Sequence, residues 1–263
     1  MSLKNGTDKV KNRYLKNLEK IEFVVTYACT GRCKHCSEGD HKASGTHIDP
    51  SIAADAVRRV AAKFDIKTVM AFGGEPLIYP EAVYSVMSAA RELEIPRRQV
   101  ITNGCFSNDN ERIRNVAISL AACGVNDLLL SVDAFHQETI PIDTVRYFAG
   151  CAIGAGVPMR LQPAWLVSRD HDNPYNEKTR EILDAFSDMA ISTSSGNVIF
   201  PEGNAIKYLS EYLDKSSTEN PYTEDPCNVK CISIEPCGNV FDGNIYSDDI
   251  MDILESYSPK QPK

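Results

Sequence analysis

The chain lacks any apolar run near the roughly 20 residues that a membrane span needs. Its opening residues, Met-Ser-Leu-Lys-Asn-Gly-Thr-Asp-Lys, hold no apolar signal region. A cytoplasmic protein with no membrane partner is therefore expected. Basic charge is in the minority: 28 Lys and Arg stand against 36 Asp and Glu, a net charge of −8. That excess argues against nucleic acid as a partner, because such a surface needs a basic face. An even cysteine count is missing too. Nine cysteines cannot all pair, and disulfides would be out of place in a reducing compartment. They fall into two triplets, Cys29-Cys33-Cys36 and Cys227-Cys231-Cys237, plus the single Cys105, Cys123 and Cys151. Metal ligation explains the triplets better than crosslinking.

What is present is an ordinary globular composition, 43% hydrophobic and 24% charged over 263 residues, enough for one sizeable core. Residues 1–20 are polar and lysine-rich and read as an arm. Ile21 to Tyr27 is an apolar strand, and 37–48 a polar loop. Asp49-Pro50 then opens a helix, Asp as N-cap and Pro at the first helical position, with Ile52, Ala56, Val57, Val60, Ala61 and Phe64 on one face. Strands are expected at 67–72, 99–102, 127–132, 158–163 and 197–200, with helices at 80–93, from Asn108 to Gly124, from Pro141, and from Asn173-Pro174. Asn108 with Glu111 reads as a capping box. Six strand–helix units in succession predict an α/β fold with a parallel sheet, too few for a closed eight-stranded barrel. Functional groups are then expected at the carboxyl ends of the strands.

The first such end carries Cys29-Thr-Gly-Arg-Cys33-Lys-His-Cys36. Three thiols in eight residues can aim at one point, and thiolates suit iron–sulfur clusters, zinc or copper(I). On the spacing alone a zinc loop stays open, with His35, His41 or His47 as the fourth ligand. The second strand ends in Gly73-Gly74-Glu75-Pro76, where glycines permit close backbone approach and a carboxylate can accept from an ammonium group.

Cys-x3-Cys-x2-Cys after the first strand, with Gly-Gly-Glu-Pro after the second, resembles the radical S-adenosylmethionine (radical SAM) enzymes. The resemblance implies a partial (β/α)6 barrel and a [4Fe–4S] cluster held by Cys29, Cys33 and Cys36. Its open iron would chelate S-adenosylmethionine (AdoMet), and an electron would cleave AdoMet to methionine and a 5′-deoxyadenosyl radical that abstracts hydrogen from a substrate. It further implies that Gly73, Gly74, Glu75 and Pro76 border the AdoMet amino group, that Asn103 in Thr102-Asn103-Gly104 lies at the mouth, and that Ser131 and Asp133 meet the ribose. His35 occupies a position where the family often has Phe or Tyr by the adenine. Arg160, an arginine in an apolar strand, needs an anion: the AdoMet carboxylate or a core carboxylate. His136, after the fourth strand, is a candidate proton-transfer group, and Cys105 a candidate hydrogen donor to a substrate radical or a packed small residue. Cys123 and Cys151 read as structural; Trp165 walls the pocket or fills the core.

Residues 214–226 read as a linker, followed at 227–263 by an extension that resembles, in part, the SPASM or twitch modules of the family. Its two strands are expected around the Cys237-Gly238 turn, with a last helix at 248–257. By the same resemblance Cys227, Cys231 and Cys237 are candidate ligands of an auxiliary [4Fe–4S] cluster; zinc binding or simple packing are the alternatives. The radical SAM domain itself would span 21–213. A peptide or small-molecule substrate and an electron donor such as flavodoxin or ferredoxin are the implied partners. Set against an enzyme is a non-catalytic zinc or iron–sulfur scaffold, which would have no need of Glu75 at a barrel mouth.

Overall fold

Five strands of four to six residues, Lys20–Val24 (β1), Thr68–Phe72 (β2), Arg97–Thr102 (β3), Asp127–Ser131 (β4) and Met159–Gln162 (β5), run parallel side by side in the computed structural model, which describes residues 12–40, 45–213 and 220–260. Along each strand the side chains alternate. Ile21, Phe23, Val69, Ala71, Val100, Leu128, Leu130 and Leu161 are buried against the helices, all at 1% exposure or less. The opposite face carries Lys20, Glu22, Met70, Gln99, Asp127 and Arg160 and lines the inside of the curved sheet.

The covering helices are Pro50–Ala61 (α1), Pro80–Glu92 (α2), Asn110–Ala122 (α3), the four-residue Ala134–Gln137 (α4), Ile142–Gly154 (α5) and Pro174–Asp184 (α6). Their apolar stripes match the expected ones: Val57 and Val60, Val83, Val86 and Met87, Val116 and Leu120, Val145 and Phe148 are all buried. Ile153 departs from its stripe and is 43% exposed. The caps are mostly as expected: Asp49 accepts from the amides of Ser51 and Ile52, and Asn173 from Asn176. At α3 the cap is Asp109 rather than Asn108, because the Asp109 carboxylate reaches the amides of Glu111 and Arg112. Cys123 is buried and Cys151 packs against the same core, both as structural residues.

One expectation about the strands is corrected. The short strand Ala164–Trp165 (β6) is followed by Ser192–Thr193 (β7), and it is β7, not residues 197–200, that continues the main sheet beside β5. Asn197–Val198 (β8) pairs instead with β6 in a separate two-stranded sheet. Asn204–Tyr208 (α7) follows, and in the extension Cys231–Ile234 (β9) lies parallel against the other side of β1 with Cys231 opposite Lys20. The main sheet therefore has seven strands in the order β7-β5-β4-β3-β2-β1-β9. Both strands expected around the Cys237-Gly238 turn are present, as β9 and Asn239–Val240 (β10), and β10 pairs with a further strand, Gly243–Asn244 (β11). The last helix, Ile250–Ser256 (α8), carries Ile253 and Leu254 into the core, and the Asn12 side chain donates to Leu254 O at 2.9 Å and Tyr257 O at 2.7 Å. Of the expected arm, residues 1–11 lie outside the described residues, as do 214–219 of the expected linker. The architecture is the expected α/β partial barrel, a parallel sheet with helices packed on its outer face.

Candidate active site

β1 continues through Val25, whose amide donates to Phe72 O at 2.8 Å, and delivers the chain to the cysteine loop at the carboxyl end of the sheet. There the Gly-Gly pair meets it. Gly74 N donates to Thr26 O at 2.7 Å and Glu75 N to Ala28 O at 2.8 Å. A Cβ on Gly73, whose φ is +131°, would lie 2.6 Å from Thr26 O, and one on Gly74 would collide with Ala28 O. The close approach expected of these glycines is thus made to the chain's own backbone, and it anchors the cysteine loop. Thr26, fully buried, adds a hydroxyl that donates to Thr46 O and accepts from Ala28 N.

Glu75 is fully buried. Its Oε1 accepts from Thr102 Oγ1 at 2.7 Å and Leu77 N at 3.0 Å, and its Oε2 from Asn103 N at 2.8 Å. Burial pushes its carboxyl up to about 7, against the pull of those three donors. Asn103 in turn directs its amide toward Cys29 Sγ at 3.5 Å and Thr30 Oγ1 at 3.2 Å, while its Oδ1 accepts from Cys105 N. The ends of β1, β2 and β3 are so joined through Ala28, Glu75 and Asn103. Pro76 follows as the first residue of a single buried turn.

Within the loop, Cys29 also accepts from Gly31 N at 3.3 Å. Burial raises Cys29 to about 12 and Cys36 to about 11, and each of these thiols is raised further by Cys33 beside it. The other side of the loop is held by residues that no motif singles out. Asn204, at 6% exposure, donates its side chain to Cys33 O at 3.2 Å and its amide to Cys36 O at 2.9 Å. Gly203 at φ +53° comes so near Cys36 O and Ser37 O that any side chain would clash. In sequence, Gly203-Asn204 looks like an ordinary turn.

A second group closes over the loop from β4. Asp133 caps α4, its Oδ1 accepting from Phe135 N and His136 N and its Oδ2 from Ala164 N at 3.0 Å. Both oxygens meet His136 Nδ1, at 2.9 and 2.8 Å. Burial alone would raise Asp133, but the His136 charge and these donors hold it down to about 2. Burial likewise opposes the charged form of His136, yet Asp133 and then Cys33 raise it well above its ordinary 6.5. A ring nitrogen of His136, one of His35 and Cys33 Sγ lie within 4.8 Å of one another. His35 packs between Phe135 and His136, with ring centroids 5.0 and 4.9 Å away. Its buried Nδ1 has no hydrogen-bond partner, and burial lowers its pKa to about 4.

The structure thus brings Cys29, Cys33, Cys36, His35, Gly73 to Pro76, Asn103, Asp133 and His136 to one mouth. Ser131, at the end of β4, and Cys105, behind Asn103 and packed on the core, border it. Three expectations need correction. The acceptor positions of Asp133 are filled by three backbone amides and the His136 ring, so it holds His136 rather than a ribose. Arg160 makes a two-pronged pair with Asp127, at 2.7 to 3.0 Å, near the amino ends of the strands, where Gln99 also donates to Asp127. Its guanidinium is committed to that core carboxylate, away from the mouth. Cys227, Cys231 and Cys237 are not brought together. Cys231 faces Glu22 and Lys20 inside the sheet, Cys237 meets Glu235 at the mouth, and Cys227 is exposed near Tyr257. Trp165 is core, 2% exposed, its Nε1 donating to Ser195 O. Of the zinc candidates outside this group, His47 stacks on Tyr79 and His41 lies outside the described residues.

A family model described as the radical SAM superfamily matches residues 23–209. Among curated proteins the chain is similar to a GTP 3′,8-cyclase of Clostridium perfringens, 26% identical over 132 residues, 49% of this chain and 39% of that one. A probable GTP 3′,8-cyclase of Saccharolobus islandicus is 23% identical over 227 residues, 78% of this chain and 68% of the relative. The first match thus spans about two-fifths of the curated relative's length. Among solved structures, Streptococcus suis SuiB bound to S-adenosylmethionine superposes with a TM-score of 0.57 at 15% identity, covering 91% of this chain and 66% of that one. Among the described residues no helix is long and apolar enough to cross a membrane.

Proposed function

The chain belongs to the radical SAM superfamily, and we propose that it cleaves AdoMet reductively at a single [4Fe–4S] cluster and uses the radical to take hydrogen from a peptide substrate. The observation that carries the reading is the convergence of Cys29, Cys33 and Cys36 at the carboxyl end of β1, braced by Glu75 and Asn103.

The donor set fits the group. The three thiols are half-buried or buried, and burial raises Cys29 and Cys36, so bare thiolates there are costly; binding iron offsets that cost while releasing their protons. Cys29, Cys33 and Cys36 would hold the cluster and leave one iron for AdoMet. When bound, the pair supplies the electron transfer that converts AdoMet to methionine and a 5′-deoxyadenosyl radical. The protein's own residues do the rest. Gly73 and Gly74 fix the loop, and Glu75, whose Oε2 accepts only from Asn103 N, would take the AdoMet ammonium there. His35, beside Phe135, offers a flat ring in the position expected near adenine, and Ser131 a hydroxyl at the rim. His136 is the group able to hold or release a proton there. The extension adds β9 to the barrel wall rather than ligands, so one cluster of four irons is assigned and an auxiliary cluster is not. A flavodoxin- or ferredoxin-like donor would supply the electron.

For the substrate, a cavity of about 280 Å³ opens between β1, β2 and the extension, lined by Tyr27, Glu38, Phe72, Ser233, Glu235 and Phe241 among others. Carboxylates and aromatic rings suit a peptide side chain or an amine. The alternative reading, a nucleoside triphosphate, has the names of the curated relatives behind it. It would call for cations inside the barrel, and there Lys20 is paired with Glu22 and Arg160 with Asp127. A small metabolite remains the second reading.

The test is anaerobic reconstitution with iron and sulfide, then AdoMet and dithionite. Wild type should yield 5′-deoxyadenosine and methionine, and the Cys29→Ala, Cys33→Ala, Cys36→Ala variant none. A colourless, zinc-loaded wild type that leaves AdoMet intact would overturn the reading in favour of a scaffold. Consumption of GTP under the same conditions would overturn the peptide assignment alone.

A further inference from the structure

We infer that Asp133 and His136 form a positioning pair for Cys33, holding an imidazole N–H against its sulfur and so setting how readily the cluster held there accepts an electron. The inference rests on the assignment of Cys33 as a cluster ligand. It extends that assignment to residues outside the cysteine loop.

The geometry is over-determined. Asp133 is locked by three backbone amides, those of Phe135, His136 and Ala164, which come from α4 and from β6. With both oxygens on Nδ1, at 2.9 and 2.8 Å, the carboxylate leaves the imidazole little freedom to turn. Nδ1 is taken by Asp133, so Nε2 is the nitrogen left to serve Cys33, and a ring nitrogen of His136 lies within 4.8 Å of that sulfur. His35 and Phe135 pack alongside and keep the contact sheltered, His136 itself being 16% exposed at its side chain.

The cysteines are also treated unequally. Cys29 receives donors from Gly31 N and Asn103 Nδ2, whereas Cys33 is met by a ring carried on the far end of β4. Hydrogen bonds to ligand sulfurs draw electron density from an iron–sulfur cluster and make it easier to reduce, and the partners that orient them are part of the same device. A residue that only capped α4 would need no ring facing Cys33, since Asp133 already supplies both cap bonds.

Potentiometric titration of the reconstituted protein, followed by electron paramagnetic resonance without AdoMet or substrate, reads the effect directly. His136→Phe should shift the cluster to a more negative potential while about four irons per chain remain. His136→Gln, which keeps an N–H donor, should recover part of the shift, and Asp133→Asn should move the potential in the same direction as His136→Phe. Equal potentials in wild type and in either His136 variant that retains its iron would overturn the inference and leave the proposed function standing. A wild type that holds no [4Fe–4S] cluster would overturn both.

Discussion

The amide of Glu75 meets the carbonyl of Ala28 at 2.8 Å. The residue that closes the Gly-Gly turn is therefore hydrogen-bonded to the residue that opens the cysteine loop, and its own carboxylate then reaches Asn103 across the barrel mouth. The loop is set by backbone contact first and by side chains second.

Gly74→Ala should for that reason act at a distance from any ligand. Its Cβ meets backbone, not a movable side chain, so the turn must shift and drag Ala28 with it. A loss of about 1–3 kcal/mol is expected, as for overpacking elsewhere, together with a lower iron content after reconstitution. Urea unfolding and iron analysis measure the two effects; wild-type values for both would show that the turn has room.

Glu75 predicts a pH dependence. Folded, it keeps its proton to about pH 7, whereas the ordinary carboxyl value is 4.5. As pH rises, the unfolded chain gives up the proton first, so this contribution to stability is present below about pH 4.5 and is lost on the way to 7. Glu75→Gln cannot titrate and should decline less across that window. It should also be less stable throughout, by about 1–3 kcal/mol, because an amide N–H in place of either oxygen would face donors. Denaturant midpoints of the two proteins from pH 4 to 8 decide it; parallel curves would remove Glu75 as the source.

Arg160→Ala should leave the AdoMet dissociation constant unchanged, since the guanidinium is bound to Asp127. The stability loss should be about 1 kcal/mol, because the pair is part-exposed and Arg97 and Gln99 still meet Asp127. Weaker AdoMet binding, measured by calorimetry on the reconstituted protein, would return Arg160 to the site.

Cys227, Cys231 and Cys237 face three different environments. Changing all three to Ser should leave about four irons per chain, the same as wild type. Eight irons in wild type falling to four in the variant would establish an auxiliary cluster.

That the cysteine triplet and Gly73 to Pro76 adjoin was legible because their signals are local: spacing and residue type already suggest a candidate ligand loop and a tight turn, and the strand–helix rhythm puts both at the same end. Residues whose meaning depends on a distant partner were not. Ser192-Thr193 is a polar, exposed pair with no apolar signature, so the neighbouring Val198 and Ile199 attracted the strand assignment that β7 fulfils. Asn108 and Asp109 are both capable caps, and only the reach to the Glu111 amide separates them. Arg160 announced a need for an anion without saying which. Asn204 and Thr102, which hold the loop and Glu75, look in sequence like any turn or strand residue. The pairing of β9 with β1 has no sequence sign at all.

That last pairing bears on the order in which the protein can be made. β1 carries the chain into the cysteine loop, yet one of its two flanking strands is supplied by residues 231–234, some two hundred positions later. During synthesis the segment bearing Cys29, Cys33 and Cys36 emerges about two hundred residues before β9, and until β9 arrives one flank of the strand beneath it keeps its amides and carbonyls open. Assembly machinery that delivers iron would thus meet accessible thiols on an unfinished platform, and completion of the sheet would close β1 from behind. Stalled chains ending before residue 231 should be more prone to edge-to-edge association than the finished protein, which sedimentation of the two can test.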